Sequence, residues 1–133
     1  MDDNIKIPPG FKILIIDDNI DFLNALTYTL TEKKIDVVNA KSGIDAIKIL
    51  KKDYFNLILL DLKMPGMNGA DTFKKIKEIQ NKPYVVIISA YSEPEQMEMI
   101  TKLKPRGFLQ KPFYLQDLMP YIKTRIKEET DEN

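Results

Sequence analysis

The chain has 133 residues, 44% hydrophobic and 30% charged, which allows one domain with a proper core and excludes a disordered chain or a second independent domain. Lysine plus arginine and aspartate plus glutamate both number 20, so the formal charge is zero and there is no basic footprint for nucleic acid or an anionic membrane. Histidine and cysteine are both absent, which excludes disulfides, thiolate catalysis and imidazole or thiolate metal sites and leaves carboxylates, hydroxyls and lysine to carry any chemistry.

No apolar stretch approaches the roughly 18 residues that span a bilayer, and the Met1-Asp2-Asp3-Asn4 start is acidic where a signal peptide is basic, so a cytoplasmic location is expected. Residues 1–10 end in Pro8-Pro9-Gly10, which continues neither a helix nor a central strand, and read as a lead-in arm. Lys12–Ile16 is a compact apolar strand that stops at Asp17-Asp18-Asn19. Ile20, Leu23, Leu26 and Leu30, with Phe22 beside them, recur at helical spacing and predict a first helix over 20–34. Asp36–Ala40 is a second strand, and Ser42 caps a helix that carries Ile44, Ile47, Ile49 and Leu50.

Leu57-Ile58-Leu59-Leu60 is apolar without alternation, as a strand covered on both faces requires, and Asp61 ends it. The Met64-Pro65-Gly66 break follows, and Asn68 caps a third helix over 69–80. Residues 84–89 form a fourth strand whose centre, Val85-Val86-Ile87-Ile88, is β-branched throughout. Ser92 to Glu95 open a fourth helix with Pro94 in its first turn and Met97, Ile100 and Leu103 as its apolar positions; Pro105 ends it. Gly107–Gln110 is a brief fifth strand, and a last helix over 115–127 precedes a charged tail, 128–133. Five strands alternating with helices predict a three-layer, doubly wound α/β domain over 11–127, its parallel sheet covered on both faces.

A parallel sheet brings the carboxyl ends of all its strands to one edge, so residues far apart in sequence converge there. The first strand delivers Asp17 and Asp18, the third Asp61, the fourth Ser89 and the fifth Lys111. Three gathered carboxylates repel one another unless a cation sits among them, and an oxygen-only ligand set suits a hard ion such as Mg²⁺.

Four motifs stand in order at these strand ends: Ile15-Ile16-Asp17-Asp18-Asn19, Leu60-Asp61-Leu62-Lys63-Met64-Pro65-Gly66-Met67-Asn68-Gly69, Ile88-Ser89-Ala90, and Phe108-Leu109-Gln110-Lys111-Pro112-Phe113. Together they resemble the signature set of response-regulator receiver domains, over residues 11–127. The resemblance implies a flavodoxin-like sheet of order 2-1-3-4-5 with five helices. It implies that Asp61 accepts a phosphoryl group from a histidine of a sensor kinase or of a histidine phosphotransfer protein. It further implies that Asp18, Asp61 and the Lys63 carbonyl ligate Mg²⁺ while Asp17 acts through a water, and that Lys111 pairs with the acceptor and then with phosphoryl oxygens. Ser89 would donate its hydroxyl to the phosphate, and Phe108 would swing inward as the switch residue; plain core packing is the alternative for that ring. Lys63 and Tyr91 occupy positions that tune hydrolysis.

Such a domain is a signalling module, not an enzyme acting on a separate substrate, and its unknown downstream protein target, or a second copy, docks on the face of the fourth helix, fifth strand and fifth helix. A haloacid-dehalogenase-type phosphatase requires an acid where Lys63 stands, and a flavin carrier requires a hydroxyl- and glycine-rich loop where Asp17-Asp18 stands. Three departures from the family fall on the output face: Lys104-Pro105, Tyr114 at the last helix's cap position, and Pro120 inside it, from which a bent or late-starting last helix is expected. Met97 and Met99 offer the fourth helix an adaptable contact surface, core filling being the alternative.

Overall fold

Strands form where the apolar runs fall. In the computed structural model, which describes residues 5–90 and 93–131, these are β1 (Lys12–Ile16), β2 (Asp36–Ala40), β3 (Leu57–Asp61), β4 (Val85–Ser89) and β5 (Gly107–Gln110). Between and after them lie α1 (Ile20–Thr31), α2 (Gly43–Leu50), α3 (Gly69–Ile79), α4 (Pro94–Leu103) and α5 (Leu115–Asp131). All pairings are parallel and the order is β2-β1-β3-β4-β5, as expected. The register sets Ile16 opposite Leu60 and Asp61 opposite Ile88, which brings the ends of the three central strands level.

Alternate residues of the central strands feed two separate cores. Leu14, Ile16, Ile58, Leu60 and Ile87 pack with Ala46 and Leu50 of α2, Phe73 and Ile76 of α3 and Ile100 of α4. Ile13, Ile15, Leu57, Leu59, Val86 and Ile88 pack with Leu23 and Leu30 of α1 and Leu118 and Ile122 of α5. Each buried Val, Leu, Ile or Phe among them contributes about 1.5–3 kcal/mol by leaving water, and the close packing on both faces makes the sheet's carboxyl edge a fixed mount. Asn19, Ser42 and Asn68 cap their helices through side-chain oxygens that accept from the backbone N–H groups of Phe22, Asp45 and Asp71.

Several boundaries differ from the sequence reading. The first helix stops at Thr31, three residues short of the expected end, because 32–34 form a turn that closes with Lys34 in the left-handed region at φ 69°. The fourth helix is seen from Pro94, and the expected opening at Ser92, like Tyr91, lies outside the described residues. Lys104 ends that helix in a left-handed conformation, φ 59°, without the glycine that usually occupies such a place. The last helix starts at Leu115 and runs unbroken past Pro120, so the expected late start does not occur. Its beginning is fixed from within: the Asp117 carboxylate accepts from the Tyr114 N–H at 2.8 Å, half of a capping box that leaves the aromatic Tyr114 itself no capping task.

That helix also continues to Asp131, so Glu128 to Asp131, expected in a charged tail, are helical. Pairing across the molecule explains the extension. Arg125, 8% exposed, donates to the Asn56 carbonyl and the Tyr54 hydroxyl, both at 2.8 Å, and lies 3.3 Å from Glu129. Glu129 accepts from Asn56 Nδ2 at 2.7 Å, and Glu128 pairs with Arg106. Arg125→Met is expected to cost about 2 kcal/mol in a urea titration, because it takes the donor from the half-buried Asn56 carbonyl and the ion-pair partner from Glu129, which keeps only its bond from Asn56 Nδ2. A loss below 0.5 kcal/mol, on the order of a surface change, would show that this latch does not hold α5.

Candidate functional site

The β1 and β3 ends, the loop after β3 and the turn after β5 enclose a cleft of about 220 Å³ lined by Asp17, Asp18, Asn19, Asp61, Lys63, Ala90 and Lys111. Asp17 is fully buried, Asp61 is 5% exposed, and Asp18 is open to solvent. One oxygen from each of the three carboxylates lies within 4.8 Å of the others, the spacing at which one small cation reaches them all. The acids fit the expected ion in donor type, in spacing and in their need for a counter-charge.

Asp17 already has partners on both oxygens: Oδ1 accepts from the Asn19 N–H at 2.9 Å, and Oδ2 accepts from Lys111 Nζ. Lys111 Nζ is also 3.8 Å from Asp61 Oδ2, so the ammonium bridges the first and third strand ends. Asp61 Oδ1 accepts from the Lys63 N–H at 3.4 Å. Burial above all, and then the Asp17 charge, push the Asp61 carboxyl up to about 6; Lys111 and the Lys63 N–H pull the other way, and Asp18 adds a smaller upward push. The carboxylate is therefore short of positive charge, and a divalent ion is the natural remedy.

Ser89 and Phe108 stand apart from this group. Both line a second cleft of about 350 Å³, with Leu62, Ile87, Met97, Leu109 and Gln110, on the side of α4 and β5. Ser89 is half-buried at the end of β4, and Ala90 after it reaches the acid cleft. Phe108 is 48% exposed, so plain core packing, the alternative for this ring, does not hold. Met97 packs against the core while Met99 faces solvent, which divides the two methionines between core filling and surface.

Three residues in the site's surroundings had no role there in the sequence reading. The Phe22 ring lies 4.2 Å from Lys111 Nζ, and the Phe113 ring meets it edge-on at 5.8 Å, so an aromatic pair backs the ammonium. Gln96 of α4 is buried and hydrogen-bonded to the loop after Asp61. A signal for it exists: Gln96 precedes the buried Ile100 by one helical turn and shares its inward stripe.

The sequence model of the family described as Response regulator receiver domain matches residues 13–123. Sporulation initiation phosphotransferase F of Bacillus subtilis is 30% identical over 112 residues, covering 84% of this chain and 90% of that protein. The transcriptional regulatory protein CpxR homolog of Haemophilus influenzae is 33% identical over 116 residues, 87% of this chain; the chain spans 50% of that relative's length. Among solved structures, a CheY-like response regulator receiver domain protein from Methanospirillum hungatei superposes with a TM-score of 0.86 at 23% identity, covering 93% of this chain and 99% of that one.

Proposed function

The chain belongs to the response regulator receiver domain family and has the phosphoacceptor role in two-component signalling, and from that premise we propose that Asp61 is the residue that takes the phosphoryl group. The observation that carries this reading is the placement of Asp61 on the buried end of β3, beside Lys111 and two further acids. Asp17, Asp18, Asp61 and the Lys63 carbonyl would hold Mg²⁺. When bound, the ion neutralises the carboxylates and the charge on the transferred group.

The chain's own residues do the rest. An Asp61 oxygen attacks the phosphorus of a phosphohistidine in line; the P–N bond breaks, the P–O bond forms, and the departing imidazole nitrogen takes a proton from solvent. Lys111 Nζ, already between Asp17 and Asp61, moves its ammonium onto a phosphoryl oxygen as charge gathers there. Ser89 donates its hydroxyl to another oxygen from the β4 end, and Phe108 leaves its exposed position for the second cleft. Autophosphorylation from small donors, and the chain's own dephosphorylation, use the same groups.

The phosphodonor partner is a sensor histidine kinase or a histidine phosphotransfer protein, and the cell compartment is the cytoplasm. Among the described residues no helix is long and apolar enough to cross a membrane. The α4-β5-α5 face, with Met99, Phe108 and Tyr114 exposed, is where the downstream protein or a second copy of the chain docks. The domain itself begins at Phe11, with the arm of 1–10 before it, and its last helix carries it to Asp131. Intact mass after incubation with phosphoramidate tests the reading: one phosphoryl adduct is expected with Mg²⁺, and none in EDTA or in Asp61→Asn. An adduct of equal yield without Mg²⁺ or in Asp61→Asn contradicts it.

A further inference from the structure

A chain of hydrogen bonds leads from Asp61 to α4 through a single peptide unit. On one side of that unit the Lys63 N–H donates to Asp61 Oδ1 at 3.4 Å. On the other side its carbonyl, Leu62 C=O, accepts from Gln96 Nε2 at 2.9 Å and from the Gly69 N–H at 3.1 Å. Gln96 Oε1 accepts in turn from the Ala70 N–H at 2.7 Å, one of the donors left unpaired in the first turn of α3. Gln96 is 8% exposed, so both ends of its amide are spent on backbone and water has little access to replace either.

We propose that Gln96 is a positioning residue that couples the state of the Asp61 carboxylate to α4. The inference rests on the reading of Asp61 as the phosphoacceptor. The peptide unit between Leu62 and Lys63 is planar and rigid, so a turn of its N–H about the chain turns its C=O as well. Converting Asp61 from a free carboxylate to an acyl phosphate changes the charge on the oxygen that the Lys63 N–H faces. The Leu62 carbonyl moves with that N–H, and Gln96 follows it, because a buried amide that lost its partner would be left unsatisfied. Gln96 sits in the first turn of α4, where a small displacement moves the whole helix against α3.

Two variants separate this coupling from simple helix capping. Gln96→Met removes both bonds at similar volume. Gln96→Glu keeps an acceptor for the Ala70 N–H, loses the donor to Leu62 C=O, and carries the test alone if the methionine variant does not fold. Each protein is treated with phosphoramidate and Mg²⁺, adduct yield is read by intact mass, and the amide NMR shifts of residues 97–103 are followed. In the wild type these shifts change on phosphorylation. In both variants the yield is expected to match the wild type while the α4 response falls by about threefold or more. A full response in both variants overturns the coupling, and so does a response kept in Gln96→Glu and lost only in Gln96→Met, which would assign Gln96 to capping α3. A wild type that takes up no phosphate overturns the reading of Asp61, which the unchanged-response outcome leaves standing.

Discussion

Asp61→Asn is expected to stabilise the metal-free protein by about 3 kcal/mol above pH 7, because it removes a carboxylate that the fold holds at a disadvantage. The acid is buried at 5% exposure beside the fully buried Asp17, and its carboxyl is pushed up to about 6. The sign follows from proton binding. Between the ordinary carboxylate value near 4 and the folded value near 6 the folded state holds more protons than the unfolded state, so wild-type stability falls as pH rises through that window. At pH 4 the carboxyl is neutral in the folded state and only about half ionised in the unfolded one, so little of the difference has developed and the variant gains little. Urea titrations of both proteins in EDTA at pH 4 and pH 8 measure this, and a variant no more stable than the wild type at pH 8 would contradict it. Millimolar Mg²⁺ should return most of the difference to the wild type and do much less for the variant, since Asp61 is one of the proposed ligands.

Gly69→Ala is expected to cost about 3 kcal/mol and to displace the acceptor strand's end. A Cβ at Gly69 would stand 2.5 Å from Leu62 Cα, 2.8 Å from Leu62 Cδ2 and 2.9 Å from the Asp61 carbonyl oxygen, and two of these three are backbone or its direct attachment. The start of α3 must then back away from the end of β3, which breaks the Gly69 N–H to Leu62 C=O bond and loosens the site's floor. Gly66→Ala is the control. Gly66 has a positive φ of 77° but open space around its Cβ position, so its cost is the backbone preference alone, about 1 kcal/mol. Equal losses for the two variants would show that the contact with Leu62 is relieved without consequence. The phosphoramidate yield should fall in Gly69→Ala and hold in Gly66→Ala.

The parts of the molecule legible in the sequence are those fixed by local pattern. Runs such as Leu57-Ile58-Leu59-Leu60 and Val85-Val86-Ile87-Ile88 are apolar on consecutive residues, as strands of a sheet buried on both faces are. Their parallel pairing then brings Asp17, Asp61 and Lys111 to one edge, so the acid cleft follows from topology once the strands are placed. What escaped depends on partners distant in sequence. The extension of α5 to Asp131 rests on Arg125 and Glu129 meeting Asn56, 69 and 73 positions away, and nothing local in that charged segment shows it. Gln96 reaches Leu62 across 34 positions, and Phe22 of α1 meets Lys111 in the turn after β5. The late start that Pro120 suggested does not occur, because a helix start secured by Asp117 and an inward face anchored by Leu118 and Ile122 outweigh one lost hydrogen bond.

The most direct test is to locate the phosphate. After phosphorylation with phosphoramidate and Mg²⁺, the acyl phosphate is converted to a hydroxamate with hydroxylamine and mapped by peptide mass spectrometry. The modification is predicted on Asp61 alone; a hydroxamate on Asp17 or Asp18 instead, or phosphate that survives hydroxylamine on a serine, threonine or tyrosine, would contradict the assignment.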